Sequence, residues 1–466
     1  MDDIQSEKRN NRRSMMLDEP PAKIIPIVAF PMIVTMLVDS VYNMADTFFV
    51  SRLGITATAA VGINDSLLQL MRAVALGFGI GAASYISRLL GAKRDEEADR
   101  TGIVTLITGM LVLTGLAVIG EFIMEPIVMF MGSTESSKQY SMHYGRIILF
   151  AAPFTAAEVI LSQLLRSEGS AKYSMIGMMS GCILNIGLDP LFISVFNLEV
   201  AGAALATTLS KIVSAVILLY PFLCRKTVLN LSLSNFKPSK TIYREIAKIG
   251  IPSFIRSAMI SVSGIVTNNL ASSFGDIPLA AVTVANKSAK LVASVILGFG
   301  QGIQPIVGYC WGAKRYKRVR KVFWTCSYMG SAVAIFLALI MGIFAKNFIA
   351  AFTKDNNSEI IRIGVLMLRS QCLTMVFHVW AMIVNSLFQA LGRVFPATVM
   401  GLSRQGLCLI PAALVLSFLF GIDGLAVSQA VADIMMTIIA IPFIISFMSE
   451  LQKLDTDKSG STLPAG

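Results

Sequence analysis

The chain of 466 residues is 55% hydrophobic and only 14% charged, and its mean hydropathy is +0.70. Soluble proteins are about 25% charged, so this composition excludes an ordinary soluble protein, and it also excludes a disordered chain. The net charge of +11 would suggest a nucleic-acid partner in a soluble protein. In a membrane protein the same charge reports topology instead, so we expect a polytopic helical membrane protein that binds no nucleic acid.

Twelve apolar stretches follow one another along the chain, and each is long enough to cross a bilayer as a helix. They cover residues 24–50, 57–86, 102–124, 143–165, 173–196, 202–224, 249–272, 279–309, 322–345, 364–390, 396–420 and 424–448. The longest polar interruption divides them into two sets of six. We therefore predict an all-α fold with an N-terminal tail at 1–23, a first lobe at 24–224, a linker at 225–248, a second lobe at 249–448 and a C-terminal tail at 449–466.

Lysine and arginine are unevenly divided between the two sets of loops. The loops and tails on one side carry 26 of these residues, whereas the loops on the other side carry five. Such a bias marks the cytoplasmic side of a membrane protein. We expect a multi-pass protein of a prokaryotic cytoplasmic membrane with both termini in the cytoplasm.

The two halves of the sequence resemble each other. The segment GFGIGAASYISRLLGAKR begins at Gly77 and GFGQGIQPIVGYCWGAKR begins at Gly298, and eight of the 18 positions are identical. The same offset of 221 residues sets Pro31 on Pro252. Because six spans separate the halves, the repeats run parallel and predict two lobes related by a pseudo-two-fold axis. This architecture is typical of secondary transporters, with substrate bound between the repeats near the middle of the membrane.

Ionisable residues inside the spans indicate a functional site, because a charge in hydrocarbon is costly. In the first span Asp39 and Asp46 lie seven residues apart, hence on one helix face, with Tyr42 and Asn43 between them. In the fifth span Asn185 and Asp189 also share a face, and Thr207 follows in the sixth span. Carboxylate, amide and hydroxyl oxygens suit a proton or Na⁺ and do not suit soft metals.

The repeat serves as an internal control for this cluster. Asp46 maps onto Thr267, and the second half has no carboxylates at the matching positions. This asymmetry favours cation coupling in the first lobe over structural pairing, although structural hydrogen bonding by Asp46 and Asp189 stays open. Of the 25 methionines, Met178 is the best candidate for a substrate cavity, since it lies seven residues before Asn185.

Purely structural pairings explain other charged residues. Asp65 and Arg72, seven residues apart, are expected to pair with each other, and Asp39 is either a solvated residue or a site for a second cation or a charge of the substrate. In the second half, pairing with Asp433 or snorkelling towards the interface accounts for Lys287 and Lys290.

Three sequence segments together resemble the multidrug and toxic compound extrusion (MATE) transporter family. They are FPMIVTMLVDSVYNMADTFFVSRLG in the first span, GAASYISRLLGAKR after the second, and LNIGLDPLF with GAALATTLSK in the fifth and sixth. The sequence is most similar to the branch named for the DNA-damage-inducible protein F. The resemblance implies a V-shaped bundle of two six-helix lobes and coupling by Asp46, Asn185, Asp189 and Thr207, which would also hold Na⁺ in a sodium-coupled protein. It further implies bending at Pro31 and a cavity lined by Tyr42 and Tyr144.

The function implied by the resemblance is export of amphipathic, mostly cationic compounds in exchange for H⁺ or Na⁺ by a monomeric transporter in the lipid bilayer. We expect no enzymatic activity and no cofactor apart from the coupling ion. The sequence shows no P-loop, which argues against ATP as the energy source. The alternative is a lipid-linked oligosaccharide flippase of the same superfamily, which the basic residues of the second half keep open. An intramembrane aspartyl protease is disfavoured because Asp189 lies in GLDP rather than GxGD.

Overall fold

The computed structural model describes the backbone of residues 2–50, 55–131, 133, 135–351 and 358–460, without the side chains at 2–4, 43–50, 55–59, 135–136 and 457–460. Within these ranges the regular structure is helical. The α-helices are α1 Asp2–Asp18, α2 Pro21–Val50, α3 Ile55–Gly91, α4 Asp95–Phe122, α5 Met124–Phe130, α6 Glu135–Phe150, α7 Ala152–Ser167, α8 Ala171–Pro190, α9 Glu199–Leu223, α10 Lys240–Ser273, α11 Asp276–Gly312, α12 Tyr316–Ile343, α13 Ala345–Ala351, α14 Ser358–Leu391, α15 Val394–Leu402 and α16 Ile410–Gly460. Two π-helical turns, Leu191–Val195 and Ser403–Leu409, continue α8 and α15.

The described helices account for the twelve predicted spans. Ten helical stretches are long and apolar enough to cross a membrane, and α6 with α7 forms an eleventh span bent by 50°. The last stretch, Val394–Thr456, has 63 residues and would be about 95 Å long as one helix, roughly three times the thickness of the hydrocarbon core. Gly421 breaks it with a φ of 61° and a ψ of −139°, so it comprises two spans. The prediction of an all-α protein with twelve transmembrane helices is confirmed.

The helices form two compact units whose boundaries differ from those of the predicted lobes. Unit 1 contains Met1–Ser14 and Val34–Phe254, and unit 2 contains Met15–Ile33 and Ile255–Gly466. The start of the first span therefore belongs to unit 2, and the start of the seventh belongs to unit 1. The sequence repeat does not reveal this exchange, because it identifies equivalent helices and not the helices that pack together.

In unit 2 the exchange depends on close backbone packing between α2 and α11. A Cβ atom at Gly298 would lie 2.6 Å from Cα of Ile33, and one at Gly302 would lie 2.6 Å from Cα of Ala29. Glycines four residues apart form a flat strip on a helix, on which another backbone can pack closely in a membrane. This strip therefore seats residues 29–33 of α2 on α11.

Unit 1 repeats the arrangement with the partner helices exchanged. Gly77 and Gly81 of α3 are equivalent to Gly298 and Gly302. A Cβ atom at Gly250 of α10 would lie 2.5 Å from the carbonyl oxygen of Gly77, and one at Gly81 would overlap the carbonyl oxygen of Ile246. The first helix of each repeat thus packs on the second helix of the other repeat.

The predicted N-terminal tail is largely the helix α1, which binds the start of α4 and the linker in unit 1. Arg13 forms an ion pair of 2.8 Å with Asp95, and Arg9 pairs with Asp99. Gln5 donates to the carbonyl oxygen of Thr227 in the linker at 3.0 Å. These contacts fix α1 on the side that carries the excess of lysine and arginine.

The linker is anchored by a buried carboxyl group in the loop between α7 and α8. Oε2 of Glu168 accepts hydrogen bonds from the backbone N–H groups of Val228 at 2.8 Å and Leu229 at 2.9 Å. Burial raises the pKa of Glu168 to about 7, because a carboxylate loses hydration in the protein interior. The linker therefore packs on unit 1 and is not a free tether.

We predict that Gly302→Ala lowers the free energy of unfolding by about 1–3 kcal/mol, because the new methyl group meets the α2 backbone. Thermal unfolding of the purified protein in detergent measures the effect. The matched control is Gly342→Ala in α12, where a Cβ atom meets nothing within 4 Å. There the change is expected to be neutral or to stabilise by up to about 1 kcal/mol. Equal stability of both variants would contradict the packing argument.

Candidate functional site

Three of the predicted coupling residues meet in unit 1, between α8 and α9. Asn185, Asp189 and Thr207 are each at most 2% exposed. In the orientation that satisfies both ends of its amide, Asn185 donates to Oδ2 of Asp189 at 3.0 Å and accepts from the backbone N–H of Thr207 at 3.2 Å. The opposite orientation makes one hydrogen bond, from Nδ2 of Asn185 to Oγ1 of Thr207, at 3.4 Å. The fourth residue, Asp46, has a side chain outside the described residues, as does Asn43.

Small residues allow α8 and α9 to approach closely enough for this contact. A Cβ atom at Gly181 would lie 2.9 Å from Cβ of Ser214, and Oγ of Ser214 donates to the carbonyl oxygen of Gly177 at 3.0 Å. Asn185 and Asp189 follow Gly181 at intervals of four residues and therefore lie on the same face of α8. The helix contact thus sets the register of the polar group.

A buried ion pair lies one helical turn from Thr207. Nζ of Lys211 is 2.8 Å from Oε2 of Glu158, and both side chains are at most 10% exposed. The pair joins α9 to α7. Sequence spacing gave no indication of this pairing, since the two residues are far apart in the chain. Glu158 therefore has a countercharge and is best explained as a structural residue.

Asp39 pairs with Arg72, which corrects the prediction that Arg72 pairs with Asp65. Nη2 of Arg72 donates to Oδ1 of Asp39 at 3.0 Å, which links α2 to α3, whereas Asp65 is exposed. Asp39 is consequently not a simply solvated residue. The spacing of Asp65 and Arg72 indicated that the two residues share a face of α3. In the structure the guanidinium of Arg72 instead lies beside Asp39 on the neighbouring helix α2.

The residues proposed to line a cavity are buried in this structure. Tyr42 is 7% exposed, Tyr144 is 3% exposed and Met178 is 7% exposed. Pro31 lies within α2, where it removes the helical hydrogen bond to residue 27. It is two residues from the point at which the chain passes from unit 2 to unit 1.

Unit 2 contains a different buried pair, Arg404 with Asp433. Nε of Arg404 is 2.7 Å from Oδ1 of Asp433, which is 2% exposed, and buried His378 lies close enough to interact electrostatically with both. Arg404 therefore neutralises Asp433, and the expectation that Lys287 or Lys290 does so is wrong. Sequence reasoning missed Arg404, although an arginine inside the predicted span 396–420 was the signal that could have found it.

The ion pairs of the two units have opposite polarity at one repeat position. Asp433 lies 222 residues after Lys211, the same offset that relates Gly202 to Gly424. Lys211 supplies the cation of its pair, whereas Asp433 supplies the anion of its own. The repeats thus share a scaffold and differ in the charges they enclose.

Arg256 is a second notable cation of unit 2, in α10. Its aliphatic stem lies across Gly401, where a Cβ atom would be 3.6 Å from Cβ of Arg256. Its Nε atom is buried, and within the described ranges it has no hydrogen-bond partner. No carboxylate in those ranges forms an ion pair with Arg256. A buried cation of this kind in a membrane span is a candidate functional residue.

Comparison with known families decides the class of protein. A family model described as MatE matches residues 31–191 and again residues 252–415. The two matches begin 221 residues apart, the offset of the internal repeat, and together they cover more than half of the chain. The chain belongs to the MatE family. It is therefore a multi-pass membrane transporter and not an enzyme.

Curated relatives and solved structures agree with this assignment. The MatE chain is 27% identical to the multidrug export protein MepA of Staphylococcus saprophyticus, over 92% of this chain and 94% of the relative. It is 26% identical to MepA of Staphylococcus aureus, over 94% and 96% of the two chains. It superimposes on a MATE crystal structure in complex with MaL6 with a TM-score of 0.91 and 25% identity, over 95% and 99% of the two chains. A second match is an outward-facing multidrug resistance MATE transporter, with a TM-score of 0.90, 25% identity, and coverage of 94% and 98%.

We predict that Glu158→Gln and Lys211→Met each lower the free energy of unfolding of this MatE protein by about 3–5 kcal/mol, because each leaves one buried charge without its partner. The double variant should recover most of the loss, since it removes both charges. A double-mutant cycle of thermal unfolding checks this expectation. Additive losses in the double variant would show that the two residues do not stabilise each other.

We predict opposite results for two arginine-to-methionine changes in unit 2. Arg404→Met should lower stability by about 3–5 kcal/mol, because it leaves Asp433 buried and unpaired. Arg256→Met should be neutral or stabilising in the same unfolding assay, because it removes a desolvated charge that lacks a described partner. Equal losses in both variants would mean that Arg256 has a structural countercharge.

Proposed function

We propose that this protein is a secondary active multidrug exporter, in which H⁺ or Na⁺ enters through unit 1 and amphipathic, mostly cationic compounds leave. The observation that carries the proposal is the buried contact of Asn185 with both Asp189 and Thr207. Membership of the MatE family and similarity to multidrug export proteins support the direction of transport and the substrate class. The same relatives favour drug export over the flippase alternative.

The polar group is suited to a small hard cation. Asp189, Asn185 and Thr207 present a carboxylate, an amide oxygen and a hydroxyl, and Na⁺ prefers oxygen ligands of this kind. A proton on Asp189 would have the same effect on charge. Asp39, Glu158 and Asp433 each pair with a lysine or an arginine, so a cation entering those sites would have to displace a protein side chain. Asp189 instead contacts the neutral amide of Asn185, which can adapt to a change of charge, so Asp189 is the proposed coupling carboxylate with Asp46 as its companion.

The amide of Asn185 provides a way to respond to the charge on Asp189. An ionised carboxylate only accepts hydrogen bonds, so the amide N–H group faces it at 3.0 Å. A protonated carboxyl group also donates, so the amide oxygen can turn towards it. The amide nitrogen would then face the backbone N–H of Thr207, which is another donor, so protonation of Asp189 would weaken the contact between α8 and α9.

Pro31 is the proposed hinge of the cycle. The part of α2 before Ile33 packs on the glycine strip of α11 in unit 2, whereas the part after Val34 belongs to unit 1. A proline in a helix interior weakens the helix where these parts join. One net charge moving inward across about 100 mV yields roughly 2.3 kcal/mol, enough for about a 40-fold concentration ratio, so export of a monovalent cation at that ratio requires two coupling cations.

We predict that Asp189→Asn abolishes gradient-driven export and leaves folding intact. Asparagine has the shape of a protonated aspartate, so the amide of Asn185 can still find a partner. The measurement is efflux of a fluorescent cationic dye from proteoliposomes with an imposed H⁺ or Na⁺ gradient, each tested separately. Loss of stimulation by one of the two gradients identifies the coupling ion.

The matched control for this experiment is Asp423→Asn, the same change at an exposed carboxylate paired with Arg362. An exposed pair contributes little to stability, so this variant should export as the unaltered protein does. Dye binding and the elution profile of each variant separate a coupling defect from misfolding. Wild-type export by Asp189→Asn under both gradients would refute the coupling role.

A further inference from the structure

A basic pocket opens in unit 2 at the junction of α11 and α12. Its volume is about 520 Å³, and its cationic lining consists of Lys314, Arg315, Lys317, Arg318 and Lys321. Among the residues whose side chains the structure describes, two carboxylates, Asp18 and Asp455, line the same space. We propose that this pocket binds the phosphate headgroup of an anionic phospholipid from the membrane leaflet on the predicted cytoplasmic side.

Two of the arginines are fixed in position by the end of α1. Nη1 of Arg315 donates to the carbonyl oxygen of Leu17 at 2.9 Å and to Oδ1 of Asp18 at 2.6 Å. Nη2 of Arg318 donates to the carbonyl oxygen of Met16 at 3.1 Å. Carbonyl groups at a helix C-terminus attract cations. These contacts hold one wall of the pocket in place before any ligand arrives.

The lysines on the other wall are available for a ligand. Nζ of Lys317 lies 3.5 Å from Oδ2 of Asp455, a long contact for a largely exposed side chain. Lys321 is exposed and has no ion pair within the part of the chain that the structure describes. Flexible ammonium groups beside fixed guanidinium groups suit a phosphate, which accepts hydrogen bonds through several oxygens.

The internal repeat shows that the scaffold does not require this charge. At the offset of 221, Glu96 of the first half is replaced by Lys317, Glu97 by Arg318 and Asp99 by Arg320. In unit 1 the acidic first turns of α4 are bound by arginines of α1. The equivalent segment of unit 2, residues 314–321, has six cations and no carboxylate. Membrane orientation requires an excess of lysine and arginine on the cytoplasmic side, but it does not require these residues to cluster around one pocket.

Aromatic residues beside the pocket place it at the level of the headgroups. The rings of Trp311 and Tyr316 meet edge to face with centroids 5.4 Å apart, and the guanidinium of Arg393 lies 5.8 Å from the Trp311 ring. Tryptophan and tyrosine concentrate where a membrane meets water. Basic pockets at this depth bind anionic headgroups, so a lipid phosphate is favoured over a soluble anion.

The test is a titration of the full-length purified protein in detergent with phosphatidylglycerol or phosphatidylcholine, followed by native mass spectrometry. The variant is the double change Lys317→Gln with Lys321→Gln. The matched control is Lys237→Gln with Lys240→Gln, two exposed lysines on the same predicted side that line no described pocket. Inorganic phosphate is added as a competitor in a separate arm.

We expect the first double variant to lose affinity for phosphatidylglycerol on the order of tenfold at low salt, since two nearby charges are removed. The control variant should bind it as the unaltered protein does, and phosphatidylcholine should bind weakly to all three. An equal loss in both double variants would overturn the proposal in favour of a general surface charge. Displacement of the lipid by millimolar inorganic phosphate would overturn it in favour of a soluble anion.

Discussion

Close contact between helix backbones is the constraint on which the rest of the structure depends. Apolar side chains gain little by leaving lipid for other apolar side chains, so helices in a membrane associate where small residues allow tight packing. Gly77 and Gly81 on α3 and Gly298 and Gly302 on α11 provide such strips. Each strip receives the first helix of the other repeat, so each unit contains segments from both halves of the chain. The change of unit within α2 follows directly from this packing.

Charge compensation is the second constraint, and it separates structural residues from the candidate coupling site. Asp39, Glu158 and Asp433 each lie beside a lysine or an arginine from a neighbouring helix. Asp189 instead receives the amide of Asn185, a group that can reverse its hydrogen bonding. A buried ion pair is stable only while both charges remain, whereas a carboxylate beside an amide tolerates the arrival of a proton or a metal cation. The difference explains why one carboxylate is a better candidate for coupling than its neighbours.

The starts of α4 and α12 illustrate how one scaffold accommodates different chemistry. They occupy equivalent positions in the repeat, and each contacts the part of α1 that belongs to its own unit. In unit 1 this segment is acidic and binds the side chains of Arg9 and Arg13. In unit 2 it is basic and binds the backbone carbonyl groups of Met16 and Leu17 and the carboxylate of Asp18. Because this surface of unit 2 has more cations than described carboxylates, it is the one suited to an anionic partner.

The sequence by itself determined the helical class, the twelve spans, the parallel repeat and the family. These features depend on hydropathy, loop charge and glycine motifs, which are local in the sequence, and the lipid environment restricts a spanning apolar segment to a helix. It also brought Asn185 and Asp189 together, since residues four apart share a helix face. Only the tertiary structure decided the partners of Asp39, Glu158 and Asp433 and the exchange of helices between the units. Those pairings join helices far apart in the chain. They depend on which helix faces meet when the backbones pack, and residue spacing within a single helix does not predict contacts between helices.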